Sequence, residues 1–418
     1  MRFWLKRRHP ARARGGAVLA VVAALGVFGP TPAAADPGQQ GTLDRVVIVM
    51  RHGVRPPTRA MPLPDGMTAR IWPSWPVPPG WLTPHGEAAV ALAAQFDAQR
   101  YAPLVPSGCP TAAQVRFVAD TDQRTLRTAQ VYADTLFAGC QVPVENVGAG
   151  TRDPRFSPFD GPDVIDPALA VAAITAALPD GGTAAIDRAN HDRLARLDAV
   201  LGCCRPPACA PGQATCHLTD LPLTIAAGKG RARVTGGLMI AASLAQTLLL
   251  EYAEGKPMGD VGWGAVSAAD ITDLSNLHAL DFALTDRPPA IARAGARALL
   301  QTVAAALQDQ TGAKFTVLVG HDANLALIGG ALGLHWQARG FGADDPAPGG
   351  ALMFELWHDR AGTPQVRVRY RSPSLDAIRM LQLLSAGDTQ ALAFRACAAG
   401  GSCSIGKFAA LVDAMGAR

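Results

Sequence analysis

Arg45-Val46-Val47-Ile48-Val49-Met50 runs directly into Arg51-His52-Gly53-Val54-Arg55-Pro56, and this junction decides the fold. The first six residues are a short apolar run rich in β-branched side chains, the pattern of a strand buried on both faces. The run stops abruptly at charge. Two arginines and a histidine around one glycine are costly to bury without an anionic partner. Arginine forks match phosphate oxygens, and glycine lets a ligand approach the backbone closely. Ligand sites in open α/β sheets lie at the carboxyl ends of strands. The junction therefore predicts an anion pocket with an imidazole aimed into it. The competing reading is a core histidine with two structural arginines.

Working outward, residues 56–81 are rich in proline, carry Trp72, Trp75 and Trp81, and read as a long loop. Thr83-Pro84 has the signals of a helix start: a capping hydroxyl, proline at the first helical position and Glu87 in the first turn. Gln114–Ala119 reads as a strand ending in Asp120-Thr121-Asp122, and Gln123 to about Phe137 as a helix. Helical patterns then dominate at 166–177, 183–201 and Gly236–Ala253, the last too short and interrupted to span a bilayer. A strand is predicted at Phe315–Gly320, followed by His321-Asp322 and a helix from about Asn324. Ala351–Trp357 and Gln365–Tyr370 predict a hairpin around Asp359-Arg360-Ala361-Gly362. Strands alternating with helices on both sides of a helical block predict an α/β domain, 41–151 with 276–418, carrying an inserted helical domain, 152–275. The alternative is an N-terminal half joined to an unrelated C-terminal half. Both strand ends that carry chemistry, 51–55 and 321–322, flank the insert, which favours the first.

The 418 residues are 49% hydrophobic and 17% charged, which excludes global disorder; 43 Gly and 33 Pro without a short period exclude collagen-like and low-complexity classes. The formal charge of +4 is concentrated at the start: Arg2, Lys6, Arg7, Arg8, Arg12 and Arg14 fall in the first 35 residues, which hold no acid. Without them 32 basic side chains face 34 acidic ones. A nucleic-acid binder is basic over its folded part, so none is expected as a partner. Residues 2–14 are basic, 17–29 apolar and uncharged, and Ala33-Ala34-Ala35 precedes Asp36. This is the pattern of a secretory signal peptide, 1–35, against an uncleaved anchor as the alternative; Arg7-Arg8 leaves the export route open between a general and a twin-arginine signal. After cleavage no membrane partner is expected, and the location is periplasmic or secreted. Eight cysteines in an exported chain read as disulfides. Cys203, Cys204, Cys209, Cys216 and His217 offer a zinc clasp as an alternative to two local bridges, but their spacings fit no common zinc template.

Arg51-His52-Gly53-Val54-Arg55-Pro56 resembles the signature of the histidine acid phosphatases, the phytase-containing branch of the histidine phosphatase superfamily. The likeness extends to Trp72-Pro73-Ser74-Trp75-Pro76, Gly80-Trp81-Leu82-Thr83-Pro84, Asp120-Thr121-Asp122-Gln123-Arg124-Thr125, Gly262-Trp263-Gly264, Gly320-His321-Asp322-Ala323-Asn324-Leu325 and Pro348-Gly349-Gly350. The resemblance implies an α/β fold with a central mixed sheet flanked by helices. It implies His52 as a nucleophile that becomes phosphohistidine, Arg51, Arg55, Arg124 and His321 as the phosphate clamp, and Asp322 as proton donor. It also implies Thr58 and Arg59 as rim residues, His278 as a pocket-side histidine, and the pairs Cys109/Cys140 and Cys397/Cys403. No metal or cofactor is implied, because arginines supply the charge. Arg124 has a bland alternative, pairing with Asp120 or Asp122, and His321 another, as a capping residue. His85, His217, His335 and His358 read as surface or packing residues. Three departures from the phytases stand out: Ala323 for a hydroxyl residue, Gln246 for an acid, and no cysteine after Cys403 to tie the tail. The expectation is a monomeric acid phosphomonoesterase acting on small-molecule phosphate esters (phytate, sugar phosphates or a broad range). A phosphoglycerate mutase-like transferase and a non-catalytic periplasmic phosphate-ester binding protein are the alternatives.

Overall fold

A computed structural model describes residues 41–59, 63, 67–160, 165–202, 217–228, 231–394, 397 and 402–415. The leader and the cluster Cys203, Cys204, Cys209 and Cys216 lie outside the described residues. In chain order the first elements are β1 (Thr42–Arg51), α1 (Pro84–Arg100), β2 (Val115–Ala119), α2 (Gln123–Leu136) and β3 (Val144–Glu145). A mostly helical stretch follows: α3 (Pro167–Ala177), α4 (Gly182–Leu201), the hairpin β4 (Thr224–Ala227) and β5 (Ala232–Thr235), then α5 (Gly237–Ala253), α6 (Ala268–Thr285) and α7 (Pro289–Gln308). The chain returns to the sheet with β6 (Phe315–Gly320), α8 (Asp322–Leu332), β7 (Ala351–His358) and β8 (Pro364–Arg371). It ends with α9 (Leu375–Arg379), β9 (Thr389–Leu392), β10 (Ser402–Ser404) and α10 (Ile405–Ala414).

One mixed sheet organises these elements, in the order β10-β8-β7-β1-β6-β2-β3 with β9 paired to β8. β1, β6, β2 and β3 are parallel, while β7 to β10 pair antiparallel. The apolar run of β1 feeds two cores by its period of two. Val47 and Val49 join the core beneath α4 to α8, while Val46, Ile48 and Met50 join the core beneath α1 and α2. The sheet is thus covered on both faces, as parallel strands require. Among the described residues, no single helix is long and apolar enough to cross a membrane.

Two differences from the sequence reading have local causes. α8 starts at Asp322, not near Asn324, because Asn324 reaches back: its Oδ1 accepts the His321 N–H at 2.7 Å and closes the first turn. The β4–β5 hairpin inside the helical stretch went unpredicted because its strands are four residues long and give no clear alternation. Helix α6 runs continuously through residues 275 and 276. The expected bridges Cys109–Cys140 and Cys397–Cys403 are formed.

The start of α1 is docked on the loop that follows His52. Thr83 caps the helix by accepting the Gly86 N–H at 2.9 Å, and its own N–H donates to the Val54 carbonyl at 3.1 Å. A Cβ on Gly86 would run into that carbonyl. Alanine in an unobstructed helix gains up to about 1 kcal/mol over glycine, whereas overpacking a tight contact costs about 1–3 kcal/mol. Gly86→Ala is therefore expected to lower stability in urea titration; a variant as stable as the parent would contradict this docking.

Candidate active site

Register brings the chemistry together. In the parallel pairing of β1 with β6, Arg51 lies opposite Gly320, and in that of β2 with β6, Ala119 lies opposite Val319. The ladder runs one step beyond the strands: His52 N–H donates to the Gly320 carbonyl at 3.0 Å, and Asp120 N–H to the Val319 carbonyl at 3.1 Å. His52, His321 and Asp120 are therefore the exit residues of three adjacent parallel strands. The two imidazoles meet edge to face with centroids 5.7 Å apart. The N-termini of α2 and α8 begin at the same edge, adding partial positive charge.

The His52 ring is buried, with Nδ1 2.8 Å from the Gly53 carbonyl. A carbonyl only accepts, so Nδ1 carries the proton and Nε2 keeps its lone pair. Burial, then the charges of Arg55, Arg124, Arg51 and His321, hold the ring's proton affinity well below its usual value. His52 is thus neutral. Arg55 Nε approaches Nε2 at 3.5 Å, and Arg55 itself is pushed down to about 10 by burial among like charges, with Asp322 opposing.

Arg51 is buried and donates through Nη1 to the Pro346 carbonyl at 2.5 Å, while its Nη2 lies 2.9 Å from Asp322 Oδ2. Among the described residues, Arg51 Nε and Arg124 Nε have no hydrogen-bond acceptor. Arg124, in the first turn of α2, pairs with Asp122 at 2.7 Å and reaches toward His321 Nδ1 at 3.4 Å. His321 Nε2 lies 2.7 Å from Asp120 Oδ2. Burial works to raise the Asp120 carboxyl, but the His321 ring and the Thr121 N–H outweigh it and hold it low. Burial likewise opposes ionisation of Asp322, yet Arg51, His278 and Arg55 together hold its carboxyl well below the usual range. His278 is buried on α6 with Nδ1 2.8 Å from Asp345 Oδ1; burial resists its charge, and Asp345 overcomes that resistance.

Of the residues singled out from the sequence, Arg51, His52, Arg55, Arg124, His321, Asp322 and His278 converge on this edge. Thr58 and Arg59 lie on the exposed loop beyond it. Thr58 flanks Gly80, which separates it from Arg124, and Arg59 lines a cleft of about 160 Å³ with Trp72 and Trp75. Asp120 and Asp345 were not singled out. Asp120 had a readable signal, an acid at the carboxyl end of a strand; Asp345 sits in an irregular segment that carries none. His85 and His335 make packing contacts, with the Ile378 carbonyl and with Asp344. Gln246 is buried on α5 with neither amide atom hydrogen-bonded. Among the described residues, Asp120, Asp122 and His321 are the one His/acid group close enough to share a metal, with donor atoms within 4.8 Å. Their pairings with one another and with Arg124 already employ them in orienting the clamp.

Comparison with known proteins agrees with this geometry. The family model described as histidine phosphatase superfamily (branch 2) matches residues 42–167 and 260–371. Phytase AppA of Escherichia coli (strain K12) is 34% identical over 337 residues, covering 75% of this chain and 77% of the relative. A glucose-1-phosphatase of Salmonella typhimurium is 29% identical over 390 residues, covering 88% and 91%. The Hafnia alvei phytase, solved with tartrate and with myo-inositol hexakis sulphate, superposes with a TM-score of 0.81 at 30% identity, covering 90% of this chain and 98% of that one. The two matched segments carry every one of the converging residues, and on that ground the chain belongs to the histidine phosphatase superfamily, branch 2.

Proposed function

We propose that the protein is an acid phosphomonoesterase that works through a phosphohistidine on His52. The observation that carries the reading is a neutral imidazole, its proton fixed on Nδ1 by the Gly53 carbonyl, with its free Nε2 among buried guanidiniums. Phosphoryl transfer is mostly positioning and charge neutralisation. Arg51, Arg55, Arg124 and His321 hold the phosphoryl oxygens, and Nε2 attacks phosphorus in line with the leaving oxygen. The Nε2–P bond forms as the P–O bond breaks, and Asp322 passes a proton to the departing alkoxide. Water then attacks phosphorus, Asp322 takes back a proton, and His52 leaves with orthophosphate as product.

Asp322 is ionised beside Arg51 before substrate arrives. A phosphate ester brings negative charge to Arg51, which weakens its hold and raises the carboxyl's proton affinity. Acid conditions, in which a phosphate monoester itself retains a proton below about pH 6, favour the protonated donor. Beside α6, the β4–β5 hairpin borders a cavity of about 410 Å³ lined by Arg231, Arg233, Asp281 and Asp286. Phytate and sugar phosphates both belong to the substrate class so proposed. The leader and two disulfides support export to the periplasm or the medium; the protein is read as a monomer, and residues 152–275 as an insert that walls the pocket. Thr58, Arg59 and His278 are assigned to its rim.

Release of p-nitrophenol from p-nitrophenyl phosphate tests the activity class, and a wild-type protein without it would overturn the proposal. Asp322→Asn tests the donor. General acid catalysis is worth about 10²–10⁴-fold, mostly for poor leaving groups. The variant is expected to lose far more kcat on glycerol phosphate than on p-nitrophenyl phosphate; equal losses would remove Asp322 from that role. The neutrality of His52 also predicts a pH signature. The unfolded chain takes up a proton near pH 6.5 that the folded ring refuses, so His52 subtracts stability as pH falls through that value. The difference in melting temperature between His52→Ala and wild type should shift in the variant's favour from about pH 7 to about pH 5. A difference independent of pH would contradict a neutral buried ring.

A further inference from the structure

The segment Asp345–Gly350 touches the site from behind. Its Pro346 carbonyl accepts from Arg51 Nη1 at 2.5 Å, its Gly350 carbonyl accepts the Arg51 N–H at 2.9 Å, and its Gly349 N–H donates to the His52 carbonyl at 3.0 Å. Asp345 holds His278. Nucleophile, clamp and pocket-side histidine thus share one support. That support is a tight turn, closed by Gly350 N–H to the Ala347 carbonyl at 2.8 Å, with Gly349 at φ +71°. Glycines give such a turn many unfolded-like alternatives, so something must hold it.

Two neighbours on β8 do. Tyr370 Oη accepts the Ala347 N–H at 2.9 Å, with its ring stacked on Trp336 at 4.8 Å. Arg371 Nη1 donates to the Gly349 carbonyl at 2.7 Å. Arg371 is anchored in turn by Asp97 of α1 at 3.0 Å, both side chains fully buried, and Asp97 Oδ2 accepts from Tyr132 Oη of α2 at 2.6 Å. A buried pair like this contributes little net stability against apolar replacements, so its role is better read from what it holds in place.

We infer that Tyr370 and Arg371, backed by Asp97, are positioning residues for phosphoryl transfer: they hold the 345–350 turn that sets Arg51 and His52, and touch no substrate. The inference rests on the phosphatase reading above. Misplacing reacting groups by about 1 Å can cost about 10²-fold in rate. Tyr370→Phe keeps the ring and removes the oxygen that accepts the Ala347 N–H. It should lower kcat on p-nitrophenyl phosphate by about 10-fold or more while KM stays near the wild-type value.

Arg371→Met alone strands Asp97 and risks misfolding, so the informative variant is Asp97→Asn/Arg371→Met, which removes both charges. It should recover a near wild-type melting temperature while kcat stays low, because the Gly349 contact is still missing. Arg371→Lys in the native background should restore part of the rate. A purely structural role predicts that kcat returns with stability, and that result would overturn the inference, as would a Tyr370→Phe kcat within about twofold of wild type. Inactive wild-type protein would instead condemn the phosphatase reading itself.

Discussion

The structure depends on holding a cluster of buried positive charge at the common end of three parallel strands. β1 and β6 feed alternate side chains into two differently shaped cores, so a one-residue slip would exchange the residues of one core with those of the other. The fixed pairing of β1, β6 and β2 sets His52, His321 and Asp120 side by side. Arg51 and His52 are each about 1% exposed. Burial of such charge is tolerable only where acceptors and acids are arranged around it, and much of the surrounding architecture supplies them: Pro346, Asp322, Asp120, Asp122 and Asp345 arrive from three different segments of chain. The leftover donors of Arg51 and Arg124 then point to an anionic ligand as their missing partner.

The same constraint sorts the protons. Each histidine of the pocket makes one short contact. A carbonyl leaves His52 neutral, the carboxylate Asp345 raises the proton affinity of His278, and Asp120 orients His321. Asp322 is kept ionised by Arg51, and its proposed donor role requires a substrate to compete for that guanidinium. Acid–base roles follow from environment rather than from residue type, the general way in which one pocket performs nucleophilic and acid chemistry at once.

Much of this was legible in the sequence because the groups proposed to be catalytic sit at strand ends. A β-branched run that halts at Arg51-His52-Gly53 announces its own position, and Phe315–Gly320 followed by His321-Asp322 does so again. Thr83-Pro84 marks α1 through its cap. Residues outside such contexts were silent. Asp345 lies in an irregular segment, Tyr370 and Arg371 look like an ordinary strand end, and Asp97 is one acid in an Ala-rich helix. Their roles exist only through tertiary contacts: Asp345 with His278, Tyr370 with Ala347, and Arg371 with Asp97, hundreds of residues away. The start of α8 was misjudged for a related reason. Asn324 has the residue type of a cap, but its side chain reaches back from inside the first turn.

The central claim is that His52 Nε2 becomes covalently phosphorylated. Mixing enzyme with excess p-nitrophenyl phosphate, denaturing rapidly in alkali, where phosphohistidine survives, and mapping the peptides by mass spectrometry tests it directly. The account predicts one phosphoryl group on the peptide containing His52, absent from His52→Ala and accumulating when hydrolysis of the intermediate is slowed. A phosphoryl group on another residue, or full turnover by His52→Ala, would contradict it.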